Sequence, residues 1–210
     1  MDTVSYFRKD PRLETERLLL RKLAPKDAAD MYEYSCRPET SEYLLWSPHT
    51  HLSFTADLIR YLQNEYEIGR YFDFAVIYKE NMKMIGTAGL TSIDEKNSSC
   101  EVGYVLNPDY WNKGIATEAL QAVMNFAFCE LNFNRVEAKY MAGNEASRHV
   151  MEKCGMTHEG IQRSKLFVKG KFRDIGVCAI LRSEYLATER ENLYKKCNRP
   201  GFLERLFHKN

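Results

Sequence analysis

Asn112, Lys113 and Gly114 lie inside the stretch NPDYWNKGIATEA, between a strand-like run, CEVGYVL, and an amphipathic run that begins near Gly114 to Thr117. Strand, glycine loop and helix in that order form an anion-binding layout. The first turn of a helix presents backbone N–H groups without internal acceptors, and the helix dipole adds partial positive charge at that end. Gly114 and Ala116 let a diphosphate approach the backbone of Ile115, Ala116 and Thr117, and Asn112 and Lys113 add donors. The same glycine would serve any tight strand-to-helix connection. The stretch lacks the GKS or GKT ending of a P-loop and the three-glycine pattern of a dinucleotide fold, so neither template is satisfied.

The elements that must position this loop follow from hydrophobic period. Thr15 to Lys22 reads as a first strand, and Pro25 with Asp27 opens a helix through about Tyr34. Thr55 to Glu67 reads as a second helix, with Leu58, Ile59 and Leu62 at helical spacing and Gly69 as its stop. FDFAVIY (72–78) and MIGTAGLTSI (84–93), joined by KENMK, predict a hairpin, and Cys100 to Leu106 the next strand. Thr117 to Cys129 sets Ala119, Leu120, Val123, Met124 and Ala127 on one helical face. Arg135 to Tyr140 is a strand, Ala146 to Cys154 a helix stopped by Gly155, and Ser164 to Val168 and Gly176 to Leu181 are strands joined by a KGK turn. The alternation predicts a layered α/β or α+β structure with a sheet of about seven strands and about four helices.

The chain has 210 residues with 44% hydrophobic and 28% charged side chains, enough to bury a core without disulfide or metal. Thirty basic residues against 29 acidic ones, mixed along the chain, give no nucleic-acid footprint. Six scattered cysteines, without the close pairs of a zinc site or redox dithiol, point to reduced thiols and a cytoplasmic location. No stretch reaches the length of a membrane span, so the chain is expected to be soluble and mature.

Several ordered blocks together resemble the GNAT superfamily of acetyl-CoA-dependent N-acetyltransferases, in particular the branch of ribosomal-protein N-terminal (alanine/serine) acetyltransferases. They are LETERLLLRKLAPKDA, KMIGTAGL, CEVGYVLNPDYWNKGIATEAL, NEASRHVMEKCGMTHEG and KGKFRDIGVCAIL, and they cover nearly the whole chain. The resemblance implies a GNAT fold: a mixed, mostly antiparallel sheet whose fourth strand carries a bulge and splays from the fifth, leaving a V-shaped gap for acetyl-CoA. The pantetheine amides would pair with backbone groups around Tyr104, Val105 and Leu106 as an added strand, and the pyrophosphate would reach Asn112 to Thr117. Family members commonly carry glycine where this chain has Asn112.

The resemblance also implies roles near the thioester. Asn144 matches the family position on the pantetheine, and an N-cap role is compatible with it. Ser147 matches the position near the sulfur and would donate a proton to the departing thiolate, while the Val105 amide would polarise the carbonyl. Glu101 matches the position of a general base in some members, with a surface carboxylate as the alternative reading. An α-amine, with pKa near 7.7 to 8.0, is roughly a tenth neutral at pH 7, whereas a lysine amine is neutral only at about 0.04%. Without an unmistakable base, the N-terminal amine of a protein is the favoured acceptor. Small-molecule amines, kept open by Glu33, Glu39, Glu42 and Asp57, are the alternative, and a non-catalytic acyl-CoA sensor is a third reading.

His49 and His51, two apart with no third ligand, do not point to a metal. The resemblance places Tyr43 to Phe54 in a helical segment walling the acceptor cleft, where Trp46 lines the pocket or packs in the core. Residues 1–183 are read as the acetyltransferase domain and 184–210 as a helical extension. In it, Phe202, Leu203, Leu206 and Phe207 could cover their own domain or a homodimer partner, rather than a membrane.

Overall fold

Strand side chains point to alternate faces, so the fully buried Leu18 and Leu20 share one side of their strand. That strand belongs to an eight-stranded sheet. The computed structural model describes residues 3–69 and 71–188. A short helix α1 (Thr3–Arg8) precedes β1 (Leu13–Glu14) and β2 (Leu18–Arg21). A 3-10 turn at Pro25–Asp27 leads into α2 (Ala28–Ser35), then α3 (Pro38–Ser41) and α4 (Leu52–Glu67). Strands β3 (Phe72–Tyr78), β4 (Lys83–Asp94) and β5 (Ser99–Leu106) form a meander. Helix α5 (Ile115–Asn125) runs into a π-helical turn at Phe126–Glu130, followed by β6 (Arg135–Met141) and α6 (Glu145–Lys153). The hairpin β7 (Thr157–Val168) and β8 (Lys171–Leu181) comes last, and residues 182–188 are helical.

The sheet order is β1-β2-β3-β4-β5-β6-β8-β7, antiparallel throughout except for the parallel pair β5 and β6. That pair is registered only from Ser99 opposite Arg135 to Val102 opposite Ala138. Beyond it, Gly103 to Leu106 remain paired to β4, while Lys139 to Met141 are paired to β8. The fourth long strand therefore leaves the fifth halfway along its length, as the family resemblance implies. The extra residue that shifts the register lies in β4 rather than in β5: Leu90 faces Val102 and Ser92 faces Glu101, so Thr91 is the bulge.

The two layers of helix are fixed by different sets of contacts. On one face, Ile115, Ala119, Leu120, Val123 and Met124 bury the apolar stripe of α5. On the other, α2 is tied to the sheet by the Met84 N–H, which donates to Asp30 at 3.0 Å. The start of α2 is held by Asp27, which receives two 2.7 Å bonds from Arg21 and one of 2.8 Å from the Ala24 N–H. Helix α4 reaches the sheet through the Tyr66 hydroxyl, which donates to the Asp73 carbonyl and accepts from the Leu23 N–H.

Three expectations are corrected. The strand expected over Thr15 to Lys22 begins only at Leu18, because Thr15 turns the chain: its N–H and hydroxyl both bond to the Leu18 carbonyl, and the two-residue strand Leu13–Glu14 before the turn makes eight strands instead of seven. Residues 42–51 are turn and extended loop rather than helix up to Leu52, in keeping with Pro48, which lacks an N–H and disfavours helix at Ser47. Helix α1 was not expected, yet Phe7 is fully buried against Phe72, Phe74 and Phe126. In the segment read as an extension, Tyr185 stacks on Phe128 at 4.8 Å, so its start packs on the core. Cys197 and the GFLERLF stretch fall outside the described residues.

Candidate active site

Because β5 alternates, it delivers consecutive residues to opposite faces of the sheet. Tyr104 points toward α6, where its hydroxyl lies 2.9 Å from Ser147 Oγ and donates to the Ser147 carbonyl at 3.1 Å. Val105 faces the α2–α4 side and lines a cavity there. Between them runs the part of β5 that β6 has left. One strand thus joins a pair of hydroxyls on one face to a cavity on the other.

Ser147 is placed by the start of α6. Asn144 Oδ1 accepts from the Ser147 N–H at 3.1 Å, an N-cap that fixes where the hydroxyl emerges. Burial pushes the Tyr104 phenol well above its ordinary pKa, opposed by the bond to Ser147. It therefore stays protonated and keeps a proton to donate. The sequence singled out Tyr104 for its backbone; its hydroxyl is the feature that only the packing of α6 on β5 reveals.

The loop singled out in the sequence does turn from β5 into the start of α5. Asn112 and Gly114 both take positive φ, +59° and +73°, and Gly114 is the N-cap of α5. The first intrahelical bond comes from the Glu118 N–H to the Gly114 carbonyl, so the amides of Ile115, Ala116 and Thr117 precede the helical ladder. A Cβ built on Gly114 would meet only Arg17 Nη2, at 3.6 Å. The space before the helix end is open, and the amides, the dipole and the loop fit a pyrophosphate. Asparagine tolerates the left-handed region better than other side chains, which suits Asn112 to a position where the family resemblance leads one to expect glycine. Lys113 turns back on its own loop, donating to the Asp109 carbonyl at 2.8 Å and lying over the Tyr110 ring.

Three residues not anticipated from sequence brace this loop. Arg17 donates to the Lys113 carbonyl at 2.9 Å and to Glu118 at 2.6 Å, while Glu118 also accepts from the Thr15 hydroxyl and the Arg17 N–H. Burial alone would raise the Glu118 carboxyl, but these bonds hold it below its ordinary pKa. Trp111 adds a bond from Nε1 to the Leu106 carbonyl at 2.8 Å, fastening the loop to the end of β5.

The cavity beside Val105 has a volume of about 590 Å³. Aromatic and apolar side chains form most of its wall, among them Trp46, Phe54, Leu58 and Leu62. His49 lies 5.3 Å from the Trp46 ring and pairs through Nδ1 with Thr55 Oγ1 at 2.8 Å; burial lowers its pKa, which favours the neutral ring. The polar groups in this wall include Asp73, Thr87, Tyr71, Tyr34 and Ser35. Asp73 escaped notice in the sequence, although an acid within FDFAVIY, otherwise apolar and aromatic, was the available signal.

Glu101 sits elsewhere. It shares a face with Val105 but is ion-paired to Lys139 and does not line the cavity. The acids that kept a polycationic acceptor open are also away from it: Glu33 pairs with Lys83 and Asn107, Glu39 with Arg37, Asp57 with Arg60, and Glu42 borders a separate depression with Lys169. No helix among the described residues is long and apolar enough to cross a membrane.

The comparisons with known proteins agree with this geometry. Residues 17–157 match the family model described as Acetyltransferase (GNAT) domain. An uncharacterized N-acetyltransferase of Bacillus licheniformis, p20, is 35% identical over 82% of this chain and 97% of its own length. The crystal structure of a GNAT-family acetyltransferase from Bacillus anthracis superposes with a TM-score of 0.74 at 29% identity, covering 82% of this chain and 99% of that one. Two more distant relatives differ by name in what they acetylate. The [Ribosomal protein uS5]-alanine N-acetyltransferase of Escherichia coli is 24% identical over 83% of this chain and 92% of its own, and the spermidine N(1)-acetyltransferase of Vibrio cholerae is 26% identical over 53% and 64%. With its splayed sheet, its glycine-capped helix α5 and a family match spanning most of its length, the chain belongs to the GNAT acetyltransferases.

Proposed function

We propose that this protein transfers the acetyl group of acetyl-CoA directly to the N-terminal α-amine of a peptide or protein, in the manner of the ribosomal-protein acetyltransferases. The single observation that carries this reading is the character of the cavity beside Val105. Its wall is aromatic and apolar, with one carboxylate among its lining residues, while Glu33, Glu39 and Asp57 are held in ion pairs outside it and Glu42 borders a neighbouring depression. A spermidine-like polycation calls for several converging carboxylates. A single α-amine attached to one uncharged side chain matches one carboxylate in an aromatic wall.

The cosubstrate side is read from the loop and the gap. The pyrophosphate sits against Asn112, Lys113, Gly114 and the amides of Ile115 to Thr117, and the pantetheine follows Tyr104 to Leu106, with Asn144 alongside. A backbone N–H of β5 that faces the gap left by β6, at Tyr104 or Leu106, polarises the thioester carbonyl, and the departing thiolate takes a proton from the hydroxyl pair of Ser147 and Tyr104. The hydrogen bond between those hydroxyls supports this assignment.

Turnover of acetyl-CoA against a panel of amines tests the reading. The panel holds short peptides with free N-termini, the same peptides N-blocked but carrying lysine, spermidine and an aminoglycoside. Free-N-terminal peptides bearing a small or apolar first residue are expected to give kcat/KM at least tenfold above the blocked lysine peptides. Turnover confined to spermidine or the aminoglycoside would sink the peptide assignment.

A further inference from the structure

Three polar side-chain atoms around one cavity, Asp73 Oδ1, Tyr34 Oη and Ser35 Oγ, are buried without a hydrogen bond of good geometry among the described residues, the Tyr34 and Ser35 hydroxyls interacting only weakly with each other. Buried polar groups are ordinarily paired, and a cluster of exceptions needs a reason. Here they lie in an aromatic-walled space opposite the splayed strand, so a ligand that donates hydrogen bonds and carries positive charge would satisfy them together.

The sheet is shaped around the carboxylate. In register, Asp73 of β3 stands beside Gly89 of β4, which stands beside Gly103 of β5. A Cβ on Gly89 would collide with Asp73 Cα and Oδ1. The two glycines clear a path across the sheet surface from Asp73 toward β5, where Val105 follows two residues later on the same face.

We infer that Asp73 is the residue that receives the ammonium group of the acceptor at the base of this cavity and takes its proton before acetyl transfer. The inference rests on the reading of the cavity as the acceptor site. In the step, R–NH3+ gives one proton to the Asp73 carboxylate. The neutral amine then moves along the glycine-cleared path to β5, where its lone pair forms the C–N bond to the acetyl carbon as the C–S bond breaks, and the electron pair leaves on sulfur, which takes a proton from the Ser147 and Tyr104 hydroxyls. The nitrogen then loses its second proton, which restores that donor, and Asp73 releases its own to water. The products are the amide, CoA–SH and one proton.

The surroundings of Asp73 match the task. Burial drives its pKa up to about 7, opposed by the Tyr71 hydroxyl, which donates to Oδ2 at 3.2 Å, and by Thr87. Tyr34 from α2 and Tyr66 from α4 face it as neutral phenols, their own pKa values raised by burial. His49 is the basic side chain of the wall, among the described residues, and burial disfavours its charge. A carboxylate of this strength lies within about one pKa unit of an α-ammonium but more than three below a lysine ammonium. Proton transfer to it discriminates between the two amines before acetyl transfer begins.

Asp73→Asn tests the assignment on whichever amine the wild type acetylates. The wild-type pH profile of kcat/KM is expected to contain two ionisations, the acceptor's own and one near 7. Asp73→Asn removes the second and lowers kcat/KM at least tenfold, with the acetyl-CoA KM changed less than threefold. Tyr71→Phe, which withdraws a bond favouring the charged carboxylate, moves that ionisation to higher pH. A wild type active only on spermidine or lysine would defeat the peptide reading while leaving Asp73 open to the same substitution. An Asp73→Asn enzyme within twofold of wild type with both ionisations intact, or loss of the second ionisation through Glu101→Gln instead, overturns the inference. Calorimetry on the CoA complex gives a readout independent of turnover. Wild type is expected to bind 2-phenylethylamine at least tenfold more tightly than its N-acetyl derivative, and Asp73→Asn to lose that preference; wild type that binds both equally, or neither, overturns the inference.

Discussion

Gly114 is small for two separable reasons, and the structure ranks them. Its φ of +73° lies where an L side chain costs roughly 1–2 kcal/mol, more for a β-branched one. An added Cβ would touch only Arg17, so crowding by the protein itself is minor. Gly114→Val should therefore act by tilting the first turn of α5, withdrawing the amides of residues 115–117 from the phosphates. The expected outcome is a rise of about tenfold in the acetyl-CoA KM with the ranking of acceptors unchanged, read from initial rates. A shift in acceptor ranking instead would place Gly114 in the acceptor site. At this scale the glycine-capped loop before α5 was legible in sequence because its residues are adjacent along the chain. Asp73 was not, because its meaning depends on glycines 16 and 30 residues away and on a helix from another part of the chain.

The elements differ in how openly the sequence announces them. β3, β4, β5 and α5 are long apolar patterns with turn residues at their ends, and their bounds match expectation to within a few residues. β7 runs from Thr157 rather than Ser164; its first six residues, THEGIQ, hold a single large apolar side chain, Ile161, so no apolar alternation in the sequence marks its first half. Helix α1 has six residues and offers less than two turns of periodicity, yet it places Phe7 among Phe72, Phe74 and Phe126. Phe7→Ala is expected to cost about 3–5 kcal/mol, the range for a fully buried phenylalanine, as measured by denaturant unfolding. Phe72 and Phe74 flank Asp73 on β3, so the same variant should lose acceptor turnover while the acetyl-CoA KM stays near wild type. A loss below 1 kcal/mol would mean that α1 is a dispensable cover.

Across the whole molecule, the proposed function divides two tasks between the faces of the sheet: α5 and α6 would border the cosubstrate on one face, and α2 and α4 wall the cavity assigned to the acceptor on the other. The parting of β5 from β6 lets the two faces meet. Placing a carboxylate in that wall sets acceptor chemistry against stability. Because the folded-state pKa of Asp73 is raised to about 7, the native protein keeps a proton that the unfolded chain has already lost above about pH 4. Stability attributable to this group is therefore present at low pH and falls as pH rises through the interval from about 4 to 7. Asp73→Asn cannot ionise and escapes that loss. Chemical unfolding at pH 8 should find the variant more stable than wild type by a margin on the order of a few kcal/mol, shrinking toward zero near pH 4. A variant less stable than wild type at pH 8 would show that the carboxylate serves as a structural anchor. A variant that is more stable yet catalytically impaired would show a site maintained at a cost to the fold, the trade expected where a buried charge serves catalysis.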